Sequence, residues 1–429
     1  MVDNNLDMNI SEEISKYSLV LITQSFPFGL AESSFLKEEI KSLAKSFDVH
    51  IISRNIKDLQ YVAVPENVVL YRYDATLKYN AIVLLIKTLL SINFIKEIFI
   101  ISRQKKFSFN HLKMCLRVEM RTLHFAKYLE FIRKQIKQNT VLYSYWNDYA
   151  CYASTRVKRK GDFIVSRLHG GDLYELDIND RYQPYKCLYN RMVDWFSFIS
   201  NKGLTYFCET YFDVSDKASI NFLGVPEHFT KCKFSDRKDV RIVSFSYVRD
   251  IKRIDKIIDA LSQIDNLNVH WTHIGARYLY DQIRDYARCK LDGKQNIDYQ
   301  FLGEMRNEDA LDYIASHEFD FLINVSSTEG MPMTMMEAFS MSIPVIGTKV
   351  GGVPEVVKHN YNGCLLEIDF RDEDLICILK DYANLPFESK LKLRENAKNT
   401  WRTNFYDVVN YNQFTDLLVD KFQQHDEVK

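Results

Sequence analysis

"FDFLINVSSTEGMPMTMMEAFSMSIPVIGTKVGG", residues 319–352, is the stretch whose reading decides the fold. FDFLINV is a short unbroken apolar run, the pattern of a strand buried on both faces. Ser326 to Gly330 is its exit loop. Pro332 suits the first helical position, which needs no N–H, and Met333 to Met341 carry the helix on. IPVIG is the next strand. Strand, helix and strand joined by short links predict a parallel sheet with crossover helices. Such sheets bind ligands at the carboxyl ends of their strands, where this loop lies. Gly330 removes a side chain where backbone must come close to something. The helix start offers N–H groups suited to a phosphate. Glu329 lies in the loop and Glu337 inside the helix; each carboxylate can accept two hydroxyl hydrogen bonds, enough to hold a vicinal diol. Spacing alone also fits two solvent-facing glutamates. The ordered strand, glycine, proline and second glutamate, with Gly351-Gly352 closing the next strand, favour a ligand site.

The same alternation runs outward in both directions. From Val240, VRIVSFSYV, NVHWTHIG and IDYQFLGEM are strands and RIDKIIDALSQI is an amphipathic helix; from about residue 388 the pattern is helical with a polar outside. Nearer the start, SLVLITQSFP (18–27) is a strand ending in a turn at Pro27 and Gly29, FLKEEIKSLAKSF has helical spacing, and VHIISR is a second strand. TVLYSYW (140–146), DFIVSRLHG (162–170), FSFISNKG (196–203) and SINFLGV (219–225) supply the later strands. A polar stretch at about 228–239 separates the halves. The predicted class is α/β, two doubly wound halves of similar size facing a central cleft with room for two substrates. The predicted domains are 1–235, 236–395 and a C-terminal helix over 396–429 that packs back towards the N-terminal domain.

Length and charge narrow the function. The 429 residues suit two or three domains. A formal net charge of −1 argues against wholesale nucleic-acid binding. That charge is uneven: Thr76 to Lys137 carries 13 Lys/Arg against three acids, a net of +10, which leaves −11 on the rest. YNAIVLLIKTLLSINFIKEIFII (79–101) is apolar but broken by Lys87, Asn93, Lys96 and Glu97. Its longest run, Ala81 to Ile86, is far short of the ~18 residues a spanning helix needs. Two readings of 76–137 stand open: a face that meets an anionic membrane surface, or a segment packed on the sheet with solvated lysines. The eight cysteines, none in C-x-x-C spacing, read as reduced thiols of a cytosolic protein. The polar, acidic MVDNNLDMNISEEIS lacks the regions of a signal peptide. The expected place is the cytoplasm, peripheral at the inner face of the cell membrane where the basic segment binds lipid.

Four stretches carry a resemblance. "SSTEGMPMTMMEAFSMSIPVIGTKVGGVPEVV" resembles the E-x(7)-E signature of the large family-four retaining glycosyltransferases, whose GT-B fold pairs two Rossmann-like domains. "VSFSYVRDIKRIDKIIDAL" resembles that family's first C-domain strand and helix, and "SRLHGGDLYE" its N-domain histidine loop. "SFPFGLAESSFLKEEI" resembles the opening loop of bacterial members that build capsular polysaccharide and O-antigen. The likeness covers most of the chain and is strongest over 240–366. It implies transfer of a sugar from a nucleotide diphosphosugar to a hydroxyl of a saccharide or lipid-linked oligosaccharide acceptor, with retention by same-face attack. It also implies that donor binding needs no metal and no cofactor; no D-x-D-like site stands in a matching context. The resemblance puts the sugar contact on Glu329 and the ribose contact on Glu337. It puts the distal phosphate on the backbone around Gly330, Met331, Pro332 and Met333, and Met305 also in the donor site. The family's diphosphate lysine matches Lys252 and its catalytic histidine matches His169. Gly29, Gly170 and Asp172 fall on the acceptor side.

Departures from the pattern are specific. The family's arginine five residues before the lysine is Tyr247 here, so the diphosphate is held with one fewer cation or by a substitute, Arg249 or Arg253. The usual glycine after the motif helix is Ser342, and the opening loop's double glycine is reduced to Gly29. Without the resemblance, Lys252 reads as a solvated cation and His169 as a structural histidine. Two other functions fit the same fold: a sugar-nucleotide epimerase or hydrolase, and a non-catalytic nucleotide-sugar-binding module, which Tyr247 motivates.

Overall fold

The computed structural model describes residues 17–29, 32–55, 59–75, 80–136, 139–175, 182–227 and 234–427. The N-terminal stretch through residue 16, the ends of the basic segment at 76–79 and 137, Cys232 and the boundary residues 228–233 lie outside the described residues.

The apolar runs form parallel strands. The first sheet takes β1 (Ser18–Thr23), β2 (Asp48–Ser53), β3 (Val69–Arg72), β4 (Thr140–Ser144), β5 (Phe163–Leu168), β6 (Trp195–Phe198) and β7 (Ala218–Ile220), in the order β3-β2-β1-β4-β5-β6-β7. The second takes β8 (Val240–Phe245), β9 (Val269–Ile274), β10 (Ile297–Phe301), β11 (Phe321–Asn324), β12 (Val345–Thr348) and β13 (Gly363–Leu366), in the order β10-β9-β8-β11-β12-β13. These are two Rossmann-like α/β domains. In each sheet the strand order reverses once, between β1 and β4 and between β8 and β11, which are parallel neighbours. Such a reversal is the switch point where open parallel sheets take ligands. The edge strands β3 and β13, four residues each, were not among the predicted strands.

By compactness the chain forms two units: Met1–Ser166 with Pro184–Trp195 and Thr415–Lys429, and Arg167–Gln183 with Phe196–Phe414. In the second, the helix Ile254–Ser262 buries Ile254, Ile257, Ile258 and Leu261, the spacing of one helical face. They join Ile242, Trp271, Phe321 and Ile323 in one core. At about 1.5–3 kcal/mol for each large apolar side chain, that burial anchors the strands whose ends carry the site.

The motif helix runs Met333–Ser340, and Pro332 stands at its N-cap, not at the first helical position. Proline's φ of −74° suits either place, but the extended ψ of 111° leaves the residue outside the helix. Its far end closes as the sequence implied. Ile343 N–H donates to Ala338 O (2.9 Å) and Ser342 N–H to Phe339 O (3.0 Å), with Ser342 at φ +63° in the left-handed position that usually takes glycine.

The basic segment is helical and only partly buried. Its helices Ala81–Leu89 and Ile92–Arg103 pack chiefly on the long helix Phe109–Arg133. Thr88, Phe94, Glu97 and Ile101 are buried, but Ile82, Leu90, Ile92 and Phe99 are each 67–75% exposed. Two of the segment's three acids are buried and engaged. Glu97 accepts from Tyr185 N–H (2.7 Å), and Glu119 from Ser91 Oγ and Arg156 (2.5 Å each). No described helix is long and apolar enough to cross a membrane.

Candidate active site

The site is built at the switch point of the second sheet. The loops leaving β8 and β11 meet where Ser327 N–H donates to Ile251 O (2.8 Å). That brings Lys252, at the end of the short turn Asp250–Lys252, to Glu329: Nζ lies 2.5 Å from Oε1. The same oxygen accepts from Asn324 Nδ2 (3.0 Å) and Ser326 Oγ (2.8 Å). Asn324 is the last residue of β11, so the strand end itself aims the carboxylate. Three donors fix Oε1, and Oε2 bonds no donor among the described residues.

Glycines let three loops close around that carboxylate. Gly352 N–H donates to Gly330 O (2.7 Å). A Cβ on Gly351, at φ +49°, would fall 1.5 Å from Glu329 O, so no side chain fits there. On the other side a Cβ on Gly330 would lie 3.3 Å from Gly170 N, so the histidine loop meets the Glu329 loop backbone to backbone. His169 is buried; its N–H donates to Asp172 Oδ1 (2.8 Å) and its Nδ1 lies 3.9 Å from Oδ2. The structure therefore brings His169, Gly170, Asp172, Lys252, Glu329 and Gly330 into one loop cluster of the second unit.

Glu337 lies inside the motif helix and is 4% exposed. Asn307 Nδ2 donates to its Oε1 (3.0 Å), while Oε2 is buried with no partner among the described residues. Burial pushes the carboxyl up to about 7, against the opposing bond from Asn307. An unmatched buried acceptor costs about 1–3 kcal/mol, and in a native fold it calls for a functional explanation. Asn307 opens the helix Asn307–Ser316, two residues after the half-buried Met305.

The remaining predicted residues divide. Met331 and Pro332 are buried, which leaves them only backbone to offer a ligand; Met333 is half-buried. Arg253 is engaged in the protein: Nε donates to Val325 O (2.7 Å), Nη1 to Ile368 O (2.6 Å) and Nη2 to Ser326 O (3.4 Å). Burial lowers its pKa. It buttresses the exit of β11, and thus Glu329. Arg249 is exposed and bonds no side chain among the described residues. Gly29 belongs to the first unit, in the turn after β1 where its N–H donates to Ser25 O (2.9 Å). Among the described residues no three His, Cys, Asp or Glu side chains gather as metal ligands would. Asn307, Asn324 and Ser326 were not predicted; Asn324 and Ser326 are marked as a polar amide and hydroxyl at the carboxyl end of the buried strand β11, whereas Asn307 opens the helix after β10 and carries no such mark.

Two parallel-sheet Rossmann-like domains of seven and six strands give the chain the GT-B fold. Within it, residues 227–400, which hold Lys252, Asn307, Glu329 and Glu337, match the family described as glycosyl transferases group 1, over less than half of the 429-residue chain. Uncharacterized glycosyltransferase MJ1178 of Methanocaldococcus jannaschii is 34% identical over 118 residues, 27% of this chain and 30% of that one. The O-antigen biosynthesis glycosyltransferase WbnH of Escherichia coli is 25% identical over 199 residues, 43% of this chain and 54% of that one. The chain thus spans from under a third to about half of the length of these curated relatives. Anabaena HepE, solved with UDP and glucose, superposes with a TM-score of 0.65 over 94% of this chain and 99% of its own, at 16% identity; that likeness is one of fold.

Proposed function

We propose that this protein is a retaining glycosyltransferase that moves a sugar from a nucleotide diphosphosugar to a hydroxyl of a lipid-linked saccharide acceptor in surface polysaccharide synthesis. The observation that carries the reading is Glu337: a buried carboxylate with one oxygen held by Asn307 and the other without a described donor, behind the loop that presents Glu329. A ribose hydroxyl supplies the missing donor. The match of 227–400 to group 1 glycosyl transferases and the UDP in HepE support the nucleotide class.

In this reading the bond from the anomeric carbon to the diphosphate oxygen breaks, and negative charge gathers on the leaving phosphate. Lys252 commits one N–H to Glu329 and turns its others to the diphosphate. The unbonded N–H groups of the first turn of Met333–Ser340 add to it. Such preorganised donors are usually the largest catalytic contribution. Glu329, fixed through Oε1, takes a sugar hydroxyl on Oε2. His169, held by Asp172, lies against the same loop and contacts the sugar. The acceptor hydroxyl attacks on the face the diphosphate leaves and passes its proton to the departing phosphate. No metal enters this scheme, so turnover persists in a chelator.

The exposed apolar side chains of 81–103, set among lysines, meet an anionic membrane at its cytoplasmic face, where a lipid-linked acceptor is presented. Leu90→Glu with Ile92→Glu abolishes sedimentation with anionic liposomes; sedimentation unchanged by both substitutions counts against this contact.

The transfer test follows nucleotide release from a panel of nucleotide sugars, with and without a lipid-acceptor extract, beside Glu329→Ala and His169→Ala. Acceptor-dependent release from one donor, lost in both variants, supports transfer. Release without acceptor favours a hydrolase or epimerase, and binding without release favours a non-catalytic module.

A further inference from the structure

Two cations of the loop after β8 are already engaged, Lys252 with Glu329 and Arg253 with three carbonyls, and Arg249 is exposed. Another cation is held at the carboxyl-end rim by a different device. The loops leaving β8 and β9 are tied together. Ser246 N–H donates to Ile274 O (3.0 Å) and Val248 N–H to Ala276 O (2.8 Å). They approach so closely that a Cβ on Gly275 would fall 2.0 Å from Ser246 O. The next residue but one, Arg277, lays its guanidinium over the Tyr247 ring with Cζ 3.9 Å from the centroid.

Three features set this stack apart from an incidental surface contact. Arg277 adopts φ +99°, a conformation that a residue with a side chain rarely takes and that strained functional sites retain. Its guanidinium forms no ion pair among the described residues, and both stacking partners are exposed. A guanidinium held over a ring face by a cation–π contact still has its N–H groups to offer, and these can make bidentate contact with phosphate oxygens. Tyr247 also lies on the same β8 exit loop as Lys252, five residues before it. One loop therefore carries the platform at one end and the lysine at the other.

We propose that Arg277 is a phosphate-binding residue of the donor site, taking the diphosphate oxygens that Lys252 leaves, and that Tyr247 is its positioning residue. This inference rests on the nucleotide-diphosphosugar reading above.

Calorimetric titration of the full chain with UDP, GDP and ADP, and with the matching monophosphates, separates the two. Glu337→Gln reports on the nucleotide site itself, and thermal melting checks each variant's fold. The expected result is that Arg277→Ala weakens the bound diphosphate at least tenfold while its monophosphate changes less than twofold. Tyr247→Ala weakens the diphosphate by a smaller factor, and Tyr247→Phe, which keeps the ring, binds as the unaltered protein does. Arg277→Lys fails to restore affinity, since an ammonium lacks the planar fork. If Glu337→Gln loses affinity but Arg277→Ala binds diphosphate normally, this inference falls and the donor reading stands. Equal losses for mono- and diphosphate in Arg277→Ala also overturn it. No binding of any of these nucleotides by the unaltered protein overturns both.

Discussion

Glu32 and Glu337 are both buried carboxylates at the switch point of a parallel sheet, one in each compact unit, and they are furnished in opposite ways. Glu32 is 1% exposed and receives five donors: Gln24 N–H (3.0 Å) and Trp146 Nε1 (2.5 Å) on Oε1, and Ser25 N–H (2.5 Å), Ser25 Oγ (3.1 Å) and Phe26 N–H (2.8 Å) on Oε2. Glu337, 4% exposed, receives one described donor on one oxygen. A carboxylate saturated by backbone N–H groups holds a loop in shape. A carboxylate buried with an acceptor unmatched holds a place for something else. Burial and residue type are the same; only the inventory of donors separates scaffold from site.

The comparison breaks first at activity. Glu329→Gln and Lys252→Met each lower donor turnover by about 10²–10³-fold, the scale of losing one preorganised charge contact. Their melting temperatures shift little, because the pair is partly open to water. A steady-state assay with a melting curve for each variant checks both halves.

Stability sharpens it next. Glu32→Ala strands several buried N–H groups and costs at least about 3 kcal/mol, read from the urea midpoint. Glu337→Gln is neutral or stabilising at pH 8, because it removes a charge that burial disfavours.

The pH dependence of Glu337 has a fixed sign. Its folded value of about 7 lies above the 4.5 of an ordinary glutamate, so the native state holds the proton more tightly than the unfolded chain. The contribution to stability is full below the unfolded value and is lost as pH rises to about 7. The unligated protein is less stable at pH 8 than at pH 5 by on the order of 1–3 kcal/mol from this group, and Glu337→Gln abolishes that portion of the slope. A hydroxyl donating to Oε2 favours the ionised form, so nucleotide binding near pH 6.5 expels a proton, measurable by calorimetry in two buffers.

The smallest effect is at the end of the motif helix. Ser342→Gly relieves the left-handed φ of +63° and stabilises by about 0.5–1 kcal/mol, seen as a rise in melting temperature.

What the sequence disclosed and what it concealed follow one physical division. The β11–loop–helix–β12 unit was legible because a both-faces-buried strand, a glycine, a proline and a helical run occur in order along the chain. Edge strands β3 and β13 were not: Val69 is 45% exposed and β13 opens on a glycine, so neither shows a buried apolar run. Glu337 could be read as a candidate, but its partner Asn307 is thirty residues away and only the fold joins them. Arg253 looked like a cation for the diphosphate until its carbonyl partners, one of them Ile368, were in view. The apolar run at 81–101 forms two helices, and its composition could not tell a buried face from an exposed one.

The most direct test of the account is calorimetric titration of UDP, GDP and ADP into the unaltered protein and into Glu337→Gln at pH 7.5. The account predicts that one of these nucleotides binds, and that Glu337→Gln weakens it at least about tenfold with an unchanged or higher melting temperature, the scale of losing one hydrogen bond to a charged group. Equal affinity in both proteins, or no binding of any of the three, would contradict it.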